Sequence, residues 1–247
     1  MCIRDRYECF HIETEQHAVI RASGALTESY LDTGNRRSFS QPGQLARFPS
    51  APKTWEQDSA ATLTTARQDV EPLFNTLAAR AHALGLLAQT APRQTTQDAN
   101  LHLLTPTGTQ LRPLRTVQNR SLFLIPPGVT DVSLVSRTSR PSDSIGPFVD
   151  DRRALGVLVG ALTCVEAGTS HDLTGHQTNS TLSGWHTLEA EACRWTNGCA
   201  ALPLAPASSS GNRLLVVQVL AAGPYDLNAE LPGTQATVPT SRMAASA

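Results

Sequence analysis

The sequence predicts a mainly β fold, an antiparallel β-sandwich-like domain preceded by one amphipathic helix, and three observations point to it. From residue 98 onward, short apolar runs recur at Leu101 to Leu104, Leu111 to Thr116, Ser121 to Ile125, Val132 to Thr138, Leu155 to Val165, Trp185 to Glu189, Ala200 to Leu204 and Leu214 to Leu220. Turn-forming residues separate them at Pro106 to Gly108, Pro126 to Gly128, Gly146-Pro147, Asn197-Gly198 and Ser208 to Gly211. Many short strands at such intervals describe an antiparallel sandwich of roughly eight strands. Third, only one stretch upstream has helical periodicity.

The elements follow in order. Residues 1–6, Met-Cys-Ile-Arg-Asp-Arg, read as the translation of a sequencing adapter and are set aside from fold reasoning. Residues 7–22 alternate apolar and polar side chains around Phe10, Ile12, Val19 and Ile20, which predicts two short strands with a turn near Glu15-Gln16. Ser23-Gly24 reads as a second turn. Residues 37–66 are rich in Ser, Pro, Gln and Thr with few apolar anchors, and read as a linker. Over residues 67–88 the spacing predicts the helix. Asp69 is its expected cap, Glu71 and Pro72 suit its first turn, and Gly85 closes it. Leu73, Leu77, Ala81 and Leu84 share one face, widened by Phe74 and Ala78, so that face is expected to pack as core. The sandwich spans 98–222, and the Ala, Ser, Thr and Pro of 223–247 read as a disordered tail.

Composition narrows the function. The net charge of −1 supplies no basic field for a polyanion, so no nucleic-acid partner is expected. No apolar run reaches the roughly 18 residues of a membrane span, and the stretch from Ala154 to Val165 is broken by glycines. Apart from Cys2, the cysteines are Cys9, Cys164, Cys193 and Cys199, with no CxxC pair. Cys193 and Cys199 flank a stretch that reads as a hairpin, where they form either a disulfide or two small buried thiols.

His171, His176 and His186, with Asp172 and Glu189, match no helical ligand motif. The first two fall in a polar loop over 167–180, so neither a metal nor another cofactor is expected. Asp150-Asp151-Arg152-Arg153 is better explained by turn-capping acids beside arginines than by paired catalytic carboxylates, because adjacent side chains in extended backbone point apart. No Gly-x-Ser-x-Gly elbow occurs. Trp185 and Trp195, with His186, are the candidate binding residues. Exposed aromatic faces there would stack on sugar rings and take a carbohydrate or cell-surface ligand, whereas buried ones would be packing.

The segment from Phe10 to Arg36, FHIETEQHAVIRASGALTESYLDTGNR, is long and ordered enough to identify. It resembles the closing strands of bacterial Hint (hedgehog/intein) domains. Arg140-Pro141-Ser142-Asp143, the block from Gly146 to Val157, Gly184-Trp185-His186 and Arg194-Trp195-Thr196-Asn197-Gly198 resemble sequence found downstream of such domains.

The resemblance implies a self-processing parent, in which a Cys or Ser attacks the preceding carbonyl and a histidine protonates the departing nitrogen. In the family both groups lie earlier in the domain, so it also implies a partner, the N-terminal part of the Hint domain. The 247-residue chain itself is expected to be inactive in that reaction. His17 matches a late histidine of the family and is the candidate catalytic residue. It departs from the pattern in being followed by Ala18 instead of an acid, which puts that role in doubt, and the plainer reading makes His11 and His17 ordinary strand residues. Two further readings of the downstream domain are a surface or carbohydrate-binding module and a structural appendage completing the Hint fold.

Overall fold

The computed structural model describes residues 11–22, 24–36, 52–86, 93–204 and 211–227, and they fall into two compact units that meet between Thr65 and Ala66. The fold is mainly β with antiparallel pairing throughout.

In the first unit β1 (Val19–Ala22) pairs antiparallel with β2 (Ala25–Glu28), a two-stranded sheet of its own. Gly24, at φ +83°, supplies the left-handed residue of the tight turn. The hairpin therefore turns at Gly24, between the paired Ala22 and Ala25. At Glu15-Gln16 the chain only bends, and 11–18 form no strand. Phe10 and the cysteines at 2 and 9 lie outside the described residues.

The stretch expected as linker also differs. In its described part, α1 (Trp55–Asp58) is a single turn closed by reciprocal bonds. Thr54 Oγ1 accepts from the Gln57 N–H at 3.3 Å, and Asp58 Oδ2 accepts from the Thr54 N–H at 2.8 Å. Hydrophobic sparsity hid this turn, because one tryptophan supplies its packing.

The second unit begins with α2 (Arg67–Ala83). Its N-cap is Ala66, which makes no side-chain cap bond, so Asp69 lies inside the first turn and Pro72 in the second. Gly85, at φ +70°, ends the helix as expected. The Leu86 N–H bonds the Ala81 carbonyl and the Gly85 N–H that of His82, each at 3.0 Å, which is the Schellman pattern. The apolar face is not core: no residue of α2 is buried, and Leu73, Leu77 and Leu84 are all exposed. Phe74 meets Phe148 at 5.3 Å between ring centroids, and Arg67 lies over the same ring.

The sheets explain why the helix is left outside. The strands are β3 (Thr95–Thr96), β4 (His102–Leu104), β5 (Gln110–Leu111), β6 (Arg115–Val117), β7 (Arg120–Ile125) and β8 (Asp131–Val135). After the one-turn α3 (Pro141–Ser144) come β9 (Val157–Glu166) and β10 (Thr169–Asp172). The one-turn α4 (Gly175–Thr178) is followed by β11 (Trp185–Leu188), β12 (Arg194–Thr196), β13 (Cys199–Pro203), β14 (Arg213–Ala222) and β15 (Tyr225–Asp226).

The larger sheet runs β11-β12-β9-β14-β7-β6, with β10 also on β9, and the smaller runs β13-β8-β4-β5. One core cluster draws Phe123, Ile125, Val159 and Leu215 from the first, and Leu103, Leu134, Ala200 and Leu202 from the second. Each sheet thus covers the other's apolar face, and the core needs no helix.

Two expected continuous elements are divided between the sheets. The run from Leu111 to Thr116 splits into β5 and β6 because Pro113 brings no N–H to a ladder, and the chain changes sheet there. Asn197-Gly198 is a turn, with Gly198 at φ +100°, but it carries the chain from β12 in one sheet to β13 in the other. Cys193 and Cys199 therefore stand on opposite sides of a corner, and both are free thiols.

The ordered domain also reaches past residue 222. Tyr225, on β15 against β3, is fully buried and donates its hydroxyl to the Gly156 carbonyl at 2.7 Å. Burial pushes its phenol up to about 12. Residues 228–247 of the expected tail lie outside the described residues.

Arg194 is the polar anchor of the larger sheet's edge. It is 4 % exposed, and its guanidinium donates to the carbonyls of His176 at 3.0 Å, Asn179 at 2.9 Å, Ser180 at 3.3 Å and His186. Its fork of five donors lets one side chain tie the loop after α4 to β11 and β12. Arg194→Met keeps the apolar stem but strips these carbonyls of their donor, and is expected to cost about 3 kcal/mol in urea unfolding. A loss below about 1 kcal/mol would show that water replaces the guanidinium freely.

Candidate functional site

The first unit places its titratable groups in two layers, beginning with the motif itself. Asp32 accepts from the Gly34 N–H at 3.1 Å, shaping a turn in which Gly34 has φ +98°. Arg36 bridges Asp32 at 2.7 Å and Glu13 at 2.6 Å, and its guanidinium lies over the Tyr30 ring. Tyr30 donates to Asn35 Oδ1 at 2.6 Å. The Arg36 bond holds the Asp32 carboxyl below its ordinary range, while desolvation and then Asp32 push the Tyr30 phenol up. Glu13, Tyr30, Asp32, Asn35 and Arg36 are thus one network, and their order in the motif has a structural cause.

Below it lies His17, 7 % exposed. Its ring stands nearly perpendicular to that of Trp55, with centroids 5.7 Å apart, and Nδ1 accepts from the Ala60 N–H at 2.9 Å. That bond places the proton of the neutral ring on Nε2. Nε2 is buried and has no hydrogen-bond partner among the described residues.

Next to His17 the two arms of the hairpin are locked together. The Ser29 N–H bonds the Ala18 carbonyl at 2.9 Å, and Ser29 Oγ accepts from the Ala18 N–H at 2.9 Å and from Thr14 Oγ1 at 3.0 Å. Ala18 follows His17, and the ring is oriented by Ala60 and Trp55. Both lie in the stretch expected as linker, so sequence reasoning missed them. A lone tryptophan in a polar run was the only signal.

The two tryptophans separate. Trp185 is 9 % exposed, belongs to the core, and donates Nε1–H to the Ala201 carbonyl at 2.8 Å. Its ring is packing and offers no face to a sugar. Trp195 points to the other side of its strand, since Arg194 and Thr196 take the inward positions. It is half-buried and lines a cavity of about 200 Å³ with Ser139, Leu155 and Gly223.

The histidines of the second unit also disperse. His171 is exposed on β10. His176, expected in a solvated loop, is 1 % exposed; its Nε2 bonds the Gly160 carbonyl at 2.8 Å and its ring packs on Trp185 at 5.2 Å. Among the described residues no group of His, Cys, Asp and Glu is placed to hold a metal ion. Asp151 accepts from the Arg153 N–H at 3.0 Å and pairs with its guanidinium, which also reaches Glu189, as the turn-capping reading requires. Burial raises the thiols of Cys164 and Cys193, which suits packing and not nucleophilic chemistry.

Comparison with known proteins finds no matching family model, no matching curated protein and no matching solved structure. The resemblance of residues 10–36 therefore rests on those residues of the sequence alone.

Burial holds the His176 imidazole below its ordinary value. The unfolded chain, titrating near 6.5, then binds more protons than the folded one as pH falls. The stability contributed by neutral His176 is present above about pH 6.5 and is lost below it, toward the lowered folded value. Urea midpoints of the second unit should fall from pH 7 to pH 5, and His176→Gln should flatten that dependence. An equal slope in the variant would assign the titration elsewhere.

Proposed function

We propose that this chain is the closing portion of a Hint-type (hedgehog/intein) autoprocessing protein, in which His17 is the late histidine of the reaction and the β domain is an appended unit. The observation that carries the reading is the His17 imidazole. It is buried in a hairpin unit with a sheet of its own, its Nδ1 is engaged by Ala60, and its Nε2–H has no acceptor among the described residues. An imidazole so held donates its Nε2–H as a hydrogen bond to a carbonyl oxygen, polarising the carbonyl that a nucleophile attacks. The acceptor would come from the nucleophile-bearing segment that the family places earlier in the domain. In this reading the network of Glu13, Tyr30, Asp32, Asn35 and Arg36 positions the segment after β2 that carries Ser29, which is bonded to Ala18 next to His17.

Alone, the 247-residue chain behind an N-terminal tag should stay intact by mass spectrometry. In a frame extended upstream by a Cys- or Ser-bearing Hint segment, self-cleavage should appear, and His17→Gln should slow it by about a hundredfold. Self-cleavage of the 247-residue chain, or an extended frame indifferent to His17→Gln, overturns the proposal.

A further inference from the structure

A cavity of about 670 Å³ in the second unit is a groove between the chain entering β4, the β6–β7 turn and the end of β14. Its volume is in the range of small-molecule sites. Its rim carries four carboxamides, Gln97, Asn100, Gln118 and Asn119, with Asp98 and Arg112. Its floor is apolar, formed by Leu101, Val157, Val219 and Ala221.

The backbone is strained at this rim. Of the three described non-glycine residues with left-handed φ, Asn100 at +48° and Gln118 at +54° both line the groove. Asn100 is held there from three sides. Its N–H bonds Asp98 Oδ1 at 2.8 Å, its carbonyl bonds His102 Nδ1 at 2.7 Å, and its Oδ1 accepts from Arg112 Nη1. The nearly buried sheet end thus fixes a carboxamide in an unfavourable backbone conformation.

We infer that this groove binds a neutral polyhydroxylated ligand, a sugar or short oligosaccharide. A carboxamide offers a donor and an acceptor side by side, which is what two vicinal hydroxyls require, and four of them converge here. The charges of Asp98 and Arg112 cancel and are turned toward Asn100, so no cationic field favours an anion. One carboxylate is too few for a metal. The apolar floor matches the C–H face of a sugar ring. Added peptide strands take their specificity from apolar side-chain pockets, and the amide-lined rim does not supply these. The inference is independent of the Hint-type reading, because every residue it uses lies in the second unit. It also moves any carbohydrate site away from Trp185.

The test is calorimetric titration of the full chain with neutral gluco-, galacto-, manno- and N-acetylhexosamine oligosaccharides up to about 10 mM. Maltose, lactose, mannobiose and chitobiose serve as first probes, with inorganic phosphate and an extended peptide library as comparisons. Saturable binding of at least one sugar is expected. Asn100→Gly, which keeps the left-handed backbone, combined with Asn119→Ala should weaken it at least about tenfold, with unchanged near-ultraviolet circular dichroism. No sugar binding, sugar binding unaffected by the double variant, or binding of phosphate or peptide alone overturns the inference. If the double variant loses its fold, Gln118→Gly, at the second left-handed position, replaces it under the same criteria.

Discussion

The second unit depends on the pairing of two ten-residue strands, β9 and β14. They run antiparallel from Leu214 opposite Val165 to Ala222 opposite Val157, with register shifts on the way. All other strands of the larger sheet attach to this ribbon, directly or through one neighbour. Its inner side chains, Val157, Val159, Leu162, Leu215 and Val217, are each at most 1 % exposed. At roughly 25 cal/mol per Å² of apolar surface, each contributes on the order of 1.5–3 kcal/mol, which gives this pairing its weight. The irregularities are absorbed locally: around the bulge Gln218 Oε1 accepts from the Ala161 N–H at 3.1 Å, in place of a ladder bond.

That ribbon forces a second sheet to cover it, and the covering explains several features at once. The chain crosses between the two sheets five times, and two of these crossings, β5 to β6 and β12 to β13, use special backbone, Pro113 at the first and Gly198 at the second. At the second, Gly156 lies so close to Thr196 and Ser136 that a Cβ would meet their hydroxyls at 2.3 and 2.6 Å. Gly184, at φ +82°, would place a Cβ 2.0 Å from the Cys199 carbonyl oxygen. Neither glycine admits a side chain, because two sheets converge there. Tyr225 closes the same corner through Gly156.

The mainly β character was legible because period-two apolar runs and turn residues are local signals. Which sheet a strand joins is not local, and so Leu111 to Thr116 looked continuous and Cys193 and Cys199 looked like hairpin neighbours. The α2 stripe misled for the same reason: Leu73, Leu77 and Leu84 have helical spacing whether or not the sandwich has room for them. The functional residues divide similarly. The motif around Tyr30 to Arg36 was visible as an ordered run, whereas the orienting of His17 by Ala60 joins positions 43 apart that no spacing rule connects. Trp185 looked like a candidate platform because a tryptophan's inward or outward sense depends on strand register, and here the register turns it into the core.

His17 and the amide-lined groove follow opposite physical logics. His17 is buried, and one nitrogen has no partner among the described residues, which costs free energy unless a group from elsewhere meets it. In the groove Gln97, Gln118 and Asn119 are exposed to solvent, so they carry no such debt, and what distinguishes them is that they line one groove with apolar residues. An unmet buried donor calls for a covalently supplied or tightly held partner, since a freely exchanging ligand would leave it unsatisfied much of the time. A solvent-exposed amide cluster suits a ligand that comes and goes. The two proposals thus describe a division of labour, backbone chemistry at the hairpin and reversible recognition on the sandwich, and neither proposal requires the other to hold.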